Sequence, residues 1–181
     1  MENTTTVTPA KSAIQYGVIF GIIMVLEFVI GYVMNFDPIS DPWFGTTINV
    51  LNYFILPILL ITIGINNYKK INHGFISFSQ CLKIGVTICV IAGLIYAIFS
   101  AIFMTLFPEF VDELLAKTRS ALAKTEGMTD EGMEVALSWT KKFMSPVFAV
   151  PATLLMFSFI GLIYSLIIGA IMKNNKPEVY S

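Results

Sequence analysis

The sequence predicts an all-α fold: an integral membrane bundle of four transmembrane helices, with an amphipathic helical hairpin between the third and fourth spans. Three observations carry this. Of 181 residues, 56% are hydrophobic and 13% charged, against roughly 45–50% and about 25% in an ordinary soluble domain. The charges are segregated: between Ser12 and Phe36 the one charged side chain is Glu27, and between Gly45 and Asn67 there is none. Four apolar stretches, 12–34, 47–65, 80–107 and 147–172, are each long enough for a hydrocarbon core of about 30 Å, which takes about 20 helical residues.

Composition also excludes. Eleven basic and twelve acidic residues leave a net charge of −1, so the concentrated basic surface of a nucleic-acid partner is missing. The sequence holds no paired-histidine metalloprotease motif, phosphate-binding glycine loop or nucleophile elbow. His73 is the single histidine, which removes His-based triads and multi-histidine metal sites. No catalytic residue, metal site or cofactor is expected. Cys81 and Cys89, eight apart on one apolar helix, are separated by about 12 Å along its axis, beyond disulfide reach. They read as packing residues.

Residues 1–11 read as a polar cytoplasmic tail. The first span follows directly; its apolar run exceeds a signal-peptide core and no small-x-small site closes it, so it is expected to remain as an anchor. In the connection from Asn35 to Trp43, Asp37-Pro38 and Asp41-Pro42 break the helix twice, with Asp37 and Asp41 as turn residues and Tyr32, Trp43 and Phe44 at the membrane boundary. The second span is followed by a polar connection from Asn66 to Ser79, and Ser77 or Ser79 can cap the third. That third span, the longest, is expected to tilt or project, and Lys83 near its start can snorkel to the surface.

Residues 108–145 change character, carrying seven of the acidic and five of the basic residues. Pro108 suits a first helical position, and Phe110, Leu114, Leu115, Thr118, Ala121 and Leu122 recur with helical period. After Gly127, Thr129 can cap a second helix with Asp130 and Glu131 in its first turn, favourable to its dipole. Its apolar stripe is Met133, Ala136, Leu137, Thr140 and Met144. The pair is expected to lie on the membrane surface or cap the bundle. Residues 146–172 then form the fourth span and 173–181 a second tail. Asp130, Glu131 and Glu134 could attract a divalent cation, although a solvated helix face accounts for them.

Orientation follows from retention of Lys and Arg on the cytoplasmic side. Lys11, Lys69, Lys70, Lys83, Lys173 and Lys176 share one side, while the first loop on the other side has none and the acidic hairpin has five cations. Both termini are therefore expected in the cytoplasm and the hairpin outside.

Lipid gives helices little hydrophobic reason to associate, so interfaces rely on small residues. Rows at four-residue spacing occur at Ala13, Gly17 and Gly21, at Gly85, Cys89, Gly93, Ala97 and Ala101, and at Gly161, Ser165 and Gly169. These ridges are expected to meet each other, within one bundle or between protomers. Besides the lipid bilayer, the expected partners are further copies of the chain or another membrane protein.

Glu27 is the strongest functional lead, because an ionisable group inside a span points to an ion path, a proton relay or a buried partner. A hydrogen bond to a neighbouring helix, or a water-exposed position, would also explain it. In the second span Asn49, Asn52, Tyr53 and Pro57 stand close together; a proline there is tolerated where neighbours satisfy the freed carbonyl. The two amides could line a cavity at the depth of Glu27 or serve as interhelical glue. The leading reading is a non-enzymatic structural or accessory component. The rival is an ion- or solute-transport component using Glu27. An enzyme would need hairpin carboxylates to meet Glu27 in one cavity, against their expected separation in depth.

The segment Gly74-Phe75-Ile76-Ser77-Phe78-Ser79-Gln80-Cys81-Leu82-Lys83-Ile84-Gly85 resembles a motif of an uncharacterised bacterial four-helix membrane-protein family, domain of unknown function 4199. Gly127 to Glu131, Lys141 to Pro146 and Gly161 to Lys173 resemble the same family, so the likeness spans the chain. It implies four spans and a bacterial inner membrane, and it brings no activity or site residue.

Overall fold

A computed structural model of the chain describes residues 8–36 and 42–176. Among these residues seven α-helices follow in order: α1 (Pro9–Val33), α2 (Pro42–Val50), a π turn (Leu51–Ile55), α3 (Leu56–Ile71), α4 (Phe78–Leu106), α5 (Pro108–Leu122), α6 (Asp130–Met144) and α7 (Pro146–Met172). No strand occurs among the described residues. Among the described residues four helical segments are long and apolar enough to span a membrane: α1, the composite Pro42–Ile71, α4 and α7. The protein is thus an all-α membrane bundle.

Several boundaries differ from the sequence expectation. The first helix starts at Pro9, with Thr8 Oγ1 accepting from the Lys11 amide at 3.3 Å, so the tail ends earlier. The composite second span has 30 residues against 29 in α4, which makes it the longest. It runs past Ile65 because Lys69 and Lys70 occupy its last turn, where cations complement the dipole. Helix α2 starts at Pro42, so Trp43, the last residue of the expected connection, stands inside it and the second span begins before Thr47. Asp37 and Asp41 lie outside the described residues. Helix α4 opens with a capping box in which Ser77 Oγ accepts from the Gln80 amide at 3.3 Å and Gln80 Oε1 accepts from the Ser77 amide at 2.8 Å.

Helix α4 is the centre, flanked by α1 and α7, with α3 against all three. The small-residue ridges of α4 and α7 interlock. A Cβ on Gly161 would lie 2.9 Å from the carbonyl oxygen of Gly85 and 2.9 Å from Cys89 Cβ. One on Gly93 would meet Phe157 Cβ at 2.9 Å, and one on Gly169 would meet Cys81 Cβ at 2.8 Å. The α1 ridge behaves differently: Gly17 and Gly21 receive Ile91 and Ile95, branched residues on another side of α4. All six glycines therefore pack within one chain. Phe20, Ile61, Ile65, Ile84, Ile88 and Phe157 are fully buried between the helices. Outward-facing residues such as Leu26, Ile30, Phe54, Leu59, Leu155 and Phe159 are exposed, as a lipid-facing surface requires.

At the end of the bundle where α1 begins and α7 finishes, Ile76 and Asn174 exchange two backbone hydrogen bonds at 2.8 Å. Lys69 Nζ donates to the Met172 carbonyl at 3.2 Å. These bonds tie the α3–α4 connection to the end of α7. At the opposite end α5 and α6 form the hairpin. Thr129 Oγ1 accepts from the Gly132 amide at 3.1 Å as the α6 cap, and Arg119 pairs with Glu134. Phe110 fixes α5 to the bundle through ring contacts with Phe28, Tyr32 and Phe103 at centroid distances of 5.9, 5.8 and 5.4 Å.

Candidate functional site

The site grows from one irregularity in the second span. Proline has no N–H, so Pro57 cannot donate to the carbonyl four residues back, that of Tyr53. The chain widens here into the π turn Leu51–Ile55, with the Leu56 amide bonded to the Leu51 carbonyl. Such single turns are rare and occur often at functional sites. The hydroxyl of Tyr164 on α7 donates to the Tyr53 carbonyl at 2.9 Å.

Within the π turn, Asn52 is carried inward to 7% exposure. Its Nδ2 donates to Glu27 Oε2 on α1 at 2.7 Å. Its Oδ1 is buried and has no hydrogen-bond partner. Glu27 is half-buried, six residues from the end of α1 and so about 9 Å from that end of the span. No basic side chain among the described residues pairs with it, the ion pairs there being Lys117–Glu113 and Arg119–Glu134.

Above the π turn the second span stands away from its neighbours: α2 buries none of its residues and touches the bundle through Phe44, stacked on Phe36 at 4.5 Å. The space left is a cavity of about 440 Å³. Glu27 and Asn52 line it, with Asn49, Thr153, Tyr53 and Tyr96. Asn49 makes no hydrogen bond among the described residues, so the structure brings Glu27 and Asn52 together and leaves Asn49 on the wall. The six packing glycines, Gly17, Gly21, Gly85, Gly93, Gly161 and Gly169, lie outside this cavity.

The hairpin roofs the cavity. Phe110, Glu113, Leu114 and Lys117 of α5 line it, and Glu113 Oε1 pairs with Lys117 Nζ at 2.7 Å. The expected separation in depth between hairpin carboxylates and Glu27 is therefore corrected. Helix α5 turns back at Pro108, directly after α4, and this places Glu113 at the same cavity. On α6, Glu134 is engaged by Arg119, and no group of three or more His, Cys, Asp or Glu side chains among the described residues could hold a metal ion.

Sequence reasoning missed Tyr164, Tyr96 and Thr153. Counting back four residues from Pro57 identifies the freed carbonyl, but nothing in the sequence says which helix supplies its donor. The face of α5 was legible from its periodicity; what that face covers was not.

No curated protein and no solved structure matches the chain. A family model described as a protein of unknown function (DUF4199) matches residues 15–174, nearly the whole sequence, and the chain belongs to that family.

Proposed function

We propose that this protein is a non-enzymatic, multi-pass component of a bacterial inner membrane that holds a small amphipathic molecule in the cavity around Glu27 and Asn52. One observation carries the reading. A cavity of about 440 Å³, within the usual range for ligand sites, sets a carboxylate without a basic partner and an unsatisfied amide oxygen among apolar walls. A purely structural Glu27–Asn52 link would satisfy its buried atoms, because native interiors leave few polar groups unpaired.

Transport is supported less well. Toward the end where α1 begins and α7 finishes, Phe20, Ile61, Ile65 and Ile88 fill the interior between helices. Enzymatic chemistry also has little support: Glu113 is held by Lys117, and His73 sits in the α3–α4 connection at the far end. The glycine ridges pack within the chain, so an accessory partner or a second copy would use the lipid-facing surface or the hairpin. The distribution of Lys and Arg supports cytoplasmic termini and an external hairpin.

An alkyl diazirine amphiphile photolysed with the protein in nanodiscs tests the reading. Expected cross-links concentrate on residues 24–31 and 45–53 and fall when unlabelled amphiphile competes. Cross-links spread evenly over the outward surface, indifferent to competitor, would overturn it. Single cysteines at Asn72 and Thr125, in a background lacking Cys81 and Cys89, test orientation in intact cells; label at Asn72 alone would reverse the topology.

A further inference from the structure

We infer that the cavity selects hydrophobic organic ammonium ions, whose N–H groups bond Glu27 and Asn52 and whose apolar body lies among the aromatic walls. This rests on the ligand-cavity reading above and adds the charge and hydrogen-bonding class of the occupant. Three observations converge.

The first is charge. Among the described residues, the charged side chains lining the cavity are Glu27, Glu113 and Lys117. Glu113 and Lys117 pair with each other at 2.7 Å, which leaves the negative charge of Glu27 to be matched by the occupant.

The second is hydrogen-bonding sense. Asn52 has given its Nδ2 to Glu27 Oε2, and its Oδ1, on a side chain 7% exposed, has no partner. Glu27 Oε1 receives no donor among the described residues. Both vacant positions on this pair are acceptors, and an ammonium is a donor with no acceptor. A carboxylate or phosphate head would face two acceptors and gain nothing there.

The third is the wall. Phe28, Tyr32, Tyr53, Tyr96 and Phe157 line the same space. Aromatic rings attract cations through their quadrupole, more strongly as the site loses water, and they bury an apolar body. The pocket thus favours one end of a ligand by charge and the other by burial.

The test uses three probes with one body: 4-phenylbutylamine, 4-phenylbutanol and 4-phenylbutyrate. Binding to the full chain in nanodiscs is measured by calorimetry against empty nanodiscs. The amine is expected to bind saturably and roughly tenfold more tightly than the alcohol, with the butyrate weakest. Glu27→Gln should remove the amine's advantage, while Glu134→Gln, outside the cavity, should keep it. Where Glu27→Gln does not fold, a Thr153→Cys variant lacking Cys81 and Cys89 gives a second reading: the amine should slow thiol labelling, and the alcohol should do so only at higher concentration. Equal binding of amine and alcohol, or tighter binding of the butyrate, overturns the ammonium assignment and leaves the cavity reading standing. Absence of saturable binding by all three probes overturns both.

Discussion

The Tyr164 hydroxyl on α7 donates to the backbone carbonyl of Tyr53 at 2.9 Å, the same carbonyl that Pro57 cannot serve. A proline-broken span is acceptable in lipid only where a neighbour supplies the missing donor, and this bond fixes the π turn that brings Asn52 to Glu27. Removing the donor by Tyr164→Phe is expected to destabilise the protein by about 1 kcal/mol, read by reversible unfolding in mixed micelles. In a Pro57→Ala background the helix can regain its own N–H donor, so the same substitution should then have little effect. An equal loss in both backgrounds would show that the bond does not compensate the proline.

The Glu27–Asn52 pair joins a polar group to an unsatisfied atom, and such arrangements trade stability for function. Replacing both by leucine removes the unpaired Asn52 oxygen together with the carboxylate that Asn52 Nδ2 bonds. Since apolar replacement of a buried polar pair is often neutral or stabilising, Glu27→Leu/Asn52→Leu is expected to unfold at the wild-type denaturant concentration or above it, and to lose amine binding. Glu27→Leu alone strands Asn52 Nδ2 as well as Oδ1 and should cost about 1–3 kcal/mol. A double variant less stable than that single variant would mean the pair contributes to folding beyond its own bond.

Gly161 and Gly74 separate two reasons for a glycine. At Gly161 the limit is space: the Cβ of an alanine would lie 2.9 Å from the Gly85 carbonyl oxygen, and since that atom is backbone, α4 and α7 must move apart. Overpacking of this kind costs about 1–3 kcal/mol. At Gly74 a Cβ meets nothing within 4 Å, but φ is +86°, so alanine is strained by about 1–2 kcal/mol without disturbing the bundle. Unfolding midpoints should fall for both variants. Cysteine crosslinking between α4 and α7 should weaken only for Gly161→Ala.

Much of this architecture was legible because membrane spans and caps are local. The charge-free stretch from Gly45 to Asn67 announces a span by itself, and Ser77 with Gln80 announces the start of α4. The small-residue rows were legible as rows, but not which rows meet: Gly17 and Gly21 oppose Ile91 and Ile95 rather than other small residues, a matter of helix rotation that four-residue spacing leaves open. At the site, Glu27 and Asn52 were visible as polar groups within apolar spans. The π turn between Leu51 and Ile55 changes helical phase by one residue, and without it the depth and facing of Asn52 could not be derived. The reach of α5 over the cavity depended on a turn at Pro108 whose direction is set by Phe110 packing on Phe28 and Tyr32.

Helix α6 carries a second apolar stripe. Met133, Ala136, Leu137, Thr140 and Met144 are half-buried, whereas Val135, Trp139 and Phe143, at four-residue spacing, are 53%, 52% and 56% exposed. Lys142 Nζ lies 4.9 Å from the Trp139 ring centroid and 5.0 Å from that of Phe148, next to the start of the lipid-facing α7. Tryptophan with flanking lysines is the composition of a membrane boundary, and an amphipathic helix there lies with its apolar face toward the acyl chains. With Trp43→Phe leaving Trp139 as the one tryptophan, emission in liposomes should be quenched more by lipids brominated near the headgroup than by lipids brominated near the chain end. Acrylamide in the aqueous phase should quench it weakly. Strong acrylamide quenching with no bromolipid effect would place the stripe in water, and α6 would then bear an exposed apolar face with no lipid to cover it.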